Sequence, residues 1–219
     1  MPRAEPDPAD RGAGANSRGS RSGARPGGRT ARTTEAVHAA TLALLAAGGY
    51  ESVSVDAVAA EAGVHRTTVY RRWGSREALV ADALAAHSGE RVPIPDEGDL
   101  RSDLVAMAAS VAYNLASPLG LSLAAAMVGR ADDPGIAGVS DGFWNARFDA
   151  TAGIVERAVG RGEVPPGTDP RRIIEAVVAP VWFRAVVQRA PVDQRLLDDA
   201  VDGAISLVRG GADRPDRRT

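Results

Sequence analysis

The sequence predicts an all-α protein built as two helical domains, and three observations carry that prediction. Aromatic residues make up only 4% of the 219 residues, which disfavours strand-rich architectures and leaves a composition rich in Ala, Leu and Val. Apolar residues recur at helical spacing in one tract after another. No tract alternates apolar and polar residues long enough to form a strand, and Gly, Pro, Ser and Asp stand where helices would begin and end.

Residues 1–32 hold seven Arg, six Gly and four Pro with almost no large apolar side chain. Such a segment cannot offset the entropy of ordering and is expected to be a disordered basic tail. A solvated tail is the favoured reading, and an arm that touches a polyanion is the alternative.

From Thr33 the pattern becomes helical, with Val37, Thr41, Leu44 and Leu45 on one face until Gly48-Gly49 stops the run. Ser54 is a good N-cap for a helix over 55–62, with Asp56 in the first turn where the helix dipole favours it. Gly63 ends that helix. A third runs over 66–72, and Ser75, after Gly74, caps a fourth over 76–87. These four helices make one small domain, residues 33–90.

Pro93 and Pro95 mark a boundary or an ordered corner. Beyond it the sequence predicts helices at 99–117, 119–130, 139–160, 170–188 and 193–209, a second domain over 91–210 and a disordered tail over 211–219. Breaks fall at Pro118, at Asp132-Asp133-Pro134-Gly135, across Gly160 to Gly167, and at Pro191. Asp169-Pro170 is a cap followed by proline at the first helical position, and Pro180 is expected to kink its helix.

Composition excludes several functions. There is no Cys, so a disulfide framework, a thiolate metal site and a Cys nucleophile are all ruled out, and a reducing cytoplasm is the expected location. The tract from Ile173 to Val187 is interrupted by Glu175 and Arg184, and no apolar stretch follows the N-terminal arginines, so no membrane partner and no secretory leader are expected. His38, His65 and His87 stand apart, and no phosphate-binding Gly loop or nucleophile elbow is present. An enzyme is therefore the weaker rival, and no cofactor or metal is expected.

The net charge of −2 conceals a basic patch. All 26 basic residues are Arg, and Arg66, Arg71, Arg72 and Arg76 stand with no acid between Val64 and Arg76. The same segment has the spacing of a helix-turn-helix: Ala59 is small where two helices meet, Gly63 can adopt the left-handed turn, and Val58, Val64 and Val69 supply the apolar clasp. At helical pitch Arg66, Thr67, Tyr70 and Arg71 span an arc of about 140°, and Val69 points away from its centre. Guanidiniums, a hydroxyl and a phenol on one face suit reading of a DNA major groove. A plain helical corner with a solvated Arg-rich face shares the spacing, so the order of residues has to decide.

That order is specific. Gly49-Tyr50, Ser54-Val55 with Val58-Ala59, Ala62-Gly63-Val64, Thr68-Val69-Tyr70-Arg71-Arg72-Trp73 and Ser75-Arg76-Glu77-Ala78-Leu79 together resemble the signature of the TetR/AcrR family of regulators. The resemblance implies an all-α homodimer whose N-terminal domain binds palindromic double-stranded operator DNA. It also implies a C-terminal domain that binds a hydrophobic or amphipathic small-molecule effector, and repression as the default. Carried over by position, Arg66, Thr67 and Arg71 would reach bases or backbone, with Arg72 beside them in the motif. Thr68 and Tyr70 would contact phosphates, as would Ser54, Ser75 and Arg76 from the starts of their helices. The chain departs from the family at His65 (commonly Ser), Arg66 (commonly Lys) and Trp73 (commonly Phe). His65 is either a base contact or a helix cap, and Trp73 reads as core.

In the C-terminal half, Ile173, Ile174, Val177, Val178, Val181, Trp182 and Ala185 form a double seam, and Leu196, Leu197, Ala200, Val201, Ala204, Ile205 and Val208 repeat its offsets. A seam that wide can face its own core and a second copy, so an isologous four-helix dimer interface is expected, using Ile174, Val177, Val178, Val181, Leu197, Val201, Ala204, Ile205 and Val208. Two ordinary buried helices of a monomer are the alternative. Met107, Val111, Met127, Phe143, Trp144, Phe148, Trp182 and Phe183, with Tyr113 nearby, are the candidate effector pocket. Any one of them reads equally well as plain core. A cavity of several hundred Å³ among them would favour sensing, and a closed core would favour a DNA-binding regulator without an effector.

Overall fold

The computed structural model describes residues 27–128 and 134–211, and every described element is helical. The helices are α1 (Gly27–Gly48), α2 (Val55–Glu61), α3 (Arg66–Trp73), α4 (Arg76–Arg91), α5 (Leu100–Ala116), α6 (Pro118–Val128), α7 (Pro134–Gly160), α8 (Pro170–Trp182) and α9 (Gln194–Gly211). A short 3-10 turn, Tyr50–Ser52, links α1 to α2. Among the described residues no single helix is long and apolar enough to cross a membrane.

Local chemistry starts the helices where the sequence predicts. Ser54 Oγ accepts from the Ala57 N–H and Ser75 Oγ from the Ala78 N–H, both at 3.1 Å. Asp169 Oδ1 accepts from the Arg171 N–H at 3.0 Å, with Pro170 opening α8.

Several boundaries differ from expectation: α4 runs on to Arg91 instead of ending at 87, and α7 begins at Pro134 instead of 139, so Pro134-Gly135, expected in a break, open a helix. α1 begins at Gly27, so residues 27–32 are helical rather than tail. Arg32 Nε donates to Gly28 O at 3.1 Å and Thr34 Oγ1 to Thr30 O at 2.9 Å, bonds that follow an exposed turn with no apolar face for periodicity to detect. The break expected at Pro118 stands but falls one residue earlier, at Ser117, whose Oγ accepts from the Gly120 N–H at 3.0 Å while Pro118 opens α6. Past Pro180, which has no N–H to give, the helix widens into a π turn over Phe183–Val187, with Gln188 N bonded to Phe183 O at 3.0 Å. The expected tail over 1–26, the turn at Asp132-Asp133 and the end at 212–219 lie outside the described residues.

There are two cores. One gathers Val37, Leu45, Tyr50, Val58, Val69, Leu79 and Leu84, and it is completed by Leu123, Met127 and Val139 from α6 and α7. The other joins Leu104, Met107, Ile154, Ile173, Val177 and Val201. α6 packs on α1, and α4 lies between α1 and α7, so the boundary expected near residue 91 divides the chain without dividing the packing. The corner itself is ordered: the fully buried Asp103 carboxylate accepts from the Glu97 N–H at 2.6 Å and from Arg157 Nη2 at 3.4 Å.

Candidate nucleic-acid interface and inner cavity

α2 ends in a left-handed turn at Gly63, with φ of 64°, while Val64 N–H reaches back to Ala59 O at 3.0 Å. That turn sets α3 across the domain with Val69 fully buried beneath it. On the opposite side Arg66, Thr67, Tyr70 and Arg71 are exposed around one shallow concavity. Tyr70, 60% exposed, is a large side chain with no place in the core. Arg66 Nη1 lies 3.3 Å from Asp56 Oδ1 in an exposed pair of the weak kind that an incoming phosphate can displace.

The neighbouring candidates divide. Ser54 and Ser75 sit at exposed helix starts, where free N–H groups and the dipole favour phosphate. Thr68 is half-buried in the first turn of α3. Arg72 is exposed and lies 5.1 Å from the Trp73 ring centroid, and Trp73 packs against the N-terminal core. His65 stands just before α3 with no capping bond from its ring, so the cap reading is not realised. Arg76 is held within the domain: its guanidinium lies 3.9 Å over the Tyr50 ring, beside Glu77 at 3.7 Å. Tyr50 in turn donates to Glu77 Oε1 at 2.8 Å, and burial, reinforced by that bond, pushes the phenol up to about 12.

In the C-terminal half, Met107, Val111, Phe143, Trp144, Phe148 and Trp182 line a cavity of about 80 Å³. This is smaller than the several hundred Å³ expected of a preformed ligand site. Trp144, Phe148 and Trp182, with Val178, also wall a surface groove of about 480 Å³. Three candidates fall elsewhere. Met127 is buried in the N-terminal core and lines a separate crevice of about 40 Å³. Phe183 and Tyr113 are 54% and 70% exposed, because the π turn and the outer face of α5 carry them outward.

The cavity also has polar lining that the sequence reading missed. Arg147, Asn114 and Thr151 enter it, together with Ser88 and Val92 from the end of α4 and the residue after it. His87 Nε2 meets Asn114 Oδ1 at 3.2 Å, and burial pushes its imidazole below the ordinary range, which favours the neutral ring. A signal existed: Trp144, Arg147, Phe148 and Thr151 share one helical face, and an Arg on an apolar stripe is out of place.

The seams on α8 and α9 face inward. Ile174, Val177, Val181, Leu197, Val201, Ala204 and Ile205 are all buried in the protomer's own core, which corrects their assignment to a surface between copies. Val178 and Val208 are half-buried. The exposed apolar side chains of this region are instead Phe183, Val187 and Leu207, and Ala179 and Gly203 on α8 and α9 are exposed too.

Known proteins share both halves. The family model described as "Bacterial regulatory proteins, tetR family" matches residues 38–83, and "Tetracyclin repressor-like, C-terminal domain" matches residues 94–204. The chain is 37% identical over 153 residues to the HTH-type transcriptional regulator AqdR of Rhodococcus erythropolis, covering 70% of this chain and 74% of the relative. It is 32% identical to the DNA-binding transcriptional repressor TetR of Mycobacteroides abscessus, covering 81% of this chain and 94% of that one. The crystal structure of the TetR family transcription regulator SCO0332 superposes with a TM-score of 0.65 at 25% identity, covering 80% of this chain and 97% of that one. The exposed polar face on α3, the all-helical architecture and these matches agree: the chain belongs to the TetR family of helix-turn-helix, DNA-binding transcriptional regulators.

Proposed function

We propose that the protein is a homodimeric repressor that holds its operator with two copies of α3 and leaves it when a small molecule occupies the C-terminal domain. One observation carries this reading: Arg66, Thr67, Tyr70 and Arg71 stand exposed around one concavity while Val69 anchors the same helix in the core. A two-fold dimer would set the two reading helices about one DNA turn, roughly 34–36 Å, apart. The relative that is named a repressor supports the sign of regulation.

α4 is the coupling element. Its first turn follows α3 through Gly74-Ser75, and Ser88, near its other end, lines the cavity. A ligand that shifts α4 would change the separation of the reading helices, and a tenfold loss of operator affinity needs only about 1.4 kcal/mol of coupling. The small cavity favours a second reading, a DNA-binding regulator without an effector, unless the aromatic wall opens into the groove.

Gel-shift titration on a duplex selected from a random pool tests the assignment. With three to four phosphates neutralised per protomer, the log–log salt slope should be about −5 to −7. Arg71→Ala should weaken specific binding by about 1–3 kcal/mol without altering the fold. A shallow slope, or an Arg71→Ala variant that binds as the parent does, would remove α3 from the interface.

A further inference from the structure

Arg147 is the only charged residue lining the inner cavity, and no carboxylate lies within ion-pair distance of it among the described residues. Among the described residues its guanidinium makes one bond, from Nη2 to Val92 O at 3.0 Å. On the same helix Arg157 is placed quite differently, against Asp96 at 3.3 Å and Asp103 at 3.4 Å. Burial pulls the Arg147 pKa down, yet a guanidinium keeps its proton, so a poorly solvated cation stands beside an apolar space.

Of the rest of the polar lining, Asn114 also offers donors, whereas Thr151 does not. Asn114 spends its carbonyl oxygen on His87, leaving the amide N–H groups without an acceptor among the described residues. Thr151 donates its hydroxyl to the backbone of its own helix, at 2.9 Å to Arg147 O and 3.1 Å to Phe148 O. Among the described residues no carboxylate lines the cavity to receive an ammonium group, and Asp141 and Glu175 stand only in the adjoining groove.

The apolar walls are flat. Trp144 stands 5.1 Å from the Trp182 ring at 64°, and 6.1 Å from Phe148 at 33°. Tilted and edge-on rings of this kind leave faces and edges that a further ring can meet. The free volume of about 80 Å³ is smaller than the ~150 Å³ apolar cavity known to take benzene. A ring therefore enters only if the Trp144, Phe148 and Trp182 wall moves toward the adjoining groove.

We propose that this site takes a planar aromatic anion, with its charged oxygen on Arg147 and Asn114 and its ring among Trp144, Phe148 and Trp182. The proposal rests on the reading of the C-terminal domain as the effector site and gives that effector a chemical class. Neutral and cationic rings of the same shape are rejected because they leave the Arg147 charge unmatched.

The test uses the full chain without DNA and three probes of one shape: 2-naphthoate, 2-naphthylmethanol and 2-naphthylmethylammonium. Isothermal titration calorimetry should show naphthoate binding at least about tenfold tighter than the alcohol, with the ammonium weakest, because a desolvated charge pair separates the three. Arg147→Met should abolish that preference, and Arg147→Lys should restore part of it. Equal binding of acid and alcohol, tightest binding of the ammonium, binding of none of the three, or a preference that survives Arg147→Met would each overturn the proposal. The first three outcomes are read on the unaltered chain and do not depend on the folding of a variant. Operator release is read separately by gel shift: release by neutral compounds only would keep the repressor reading and sink the anion site, whereas naphthoate selectivity in a chain that no compound releases would do the reverse.

Discussion

Trp73 donates its indole N–H to Asp82 Oδ2 at 2.7 Å, and His38 Nε2 reaches the same oxygen at 2.9 Å. One carboxylate on α4 thus ties the end of the reading helix to α1. Phe, the family's usual residue here, has no N–H to donate, so the departure to Trp adds a bond that positions α3 on α4.

Trp73→Phe should therefore cost about 1 kcal/mol at neutral pH, a modest figure because the carboxylate is half exposed. The pH dependence isolates the bond from lost packing. Burial pushes the Asp82 carboxyl up, but the indole N–H and His38 outweigh it and hold its pKa below the ordinary value of 3.8. A depressed folded pKa gives stability that is present above the unfolded value and is lost as pH falls through the folded one. The deficit of the variant should shrink between about pH 5 and pH 3 in urea titrations. A deficit constant across that range would assign the effect to packing alone.

Gly120 shows the opposite kind of constraint, since a Cβ there would lie 2.0 Å from Asn114 O and 2.8 Å from Asn114 C, both backbone atoms. Gly120→Ala must push α6 away from the end of α5, at a cost of about 1–3 kcal/mol and a Tm roughly 3–10 °C lower. Gly142 has nothing within 4 Å of the same position and lies inside α7. Gly142→Ala should raise stability by about 0.5–1 kcal/mol through helix propensity. Scanning calorimetry of the pair checks the contrast, and a neutral Gly120→Ala would mean that the α5–α6 approach is loose.

What the sequence makes legible is what neighbours along the chain decide. Ser54, Ser75 and Asp169 cap their helices, Gly63 makes its left-handed turn, and Val69 faces away from Arg66, Thr67, Tyr70 and Arg71. Periodicity says which side chains share a face but not which neighbour covers that face. The double seam of α8 and α9 is consumed by α5 and by their mutual packing. Met127 sits on the α6 face that α1 covers, and it therefore joins the other core. Arg147 is hard to read from the sequence because an Arg at helical spacing in an aromatic stripe is equally consistent with a side chain that reaches out to solvent.

The apolar side chains of α8 and α9 left outside the core are the surface proposed for a second copy. Leu207 is 61% exposed on α9 and Phe183 is 54% exposed after α8, whereas Leu197 is only 5% exposed and packs within the C-terminal core. Two arginine substitutions on one helix therefore separate the roles. Leu197→Arg places an unpaired charge in the core and should unfold the C-terminal half, lost as helical signal in circular dichroism. Leu207→Arg should leave the helical signal intact and weaken self-association at least about thirtyfold, roughly 2 kcal/mol, in sedimentation equilibrium. Operator affinity should then fall steeply at protein concentrations below the new dissociation constant, because a single α3 reads only half a palindrome. A parent chain that sediments as a monomer, or a Leu207→Arg variant that dimerises as tightly as the parent, would move the contact between copies away from this face.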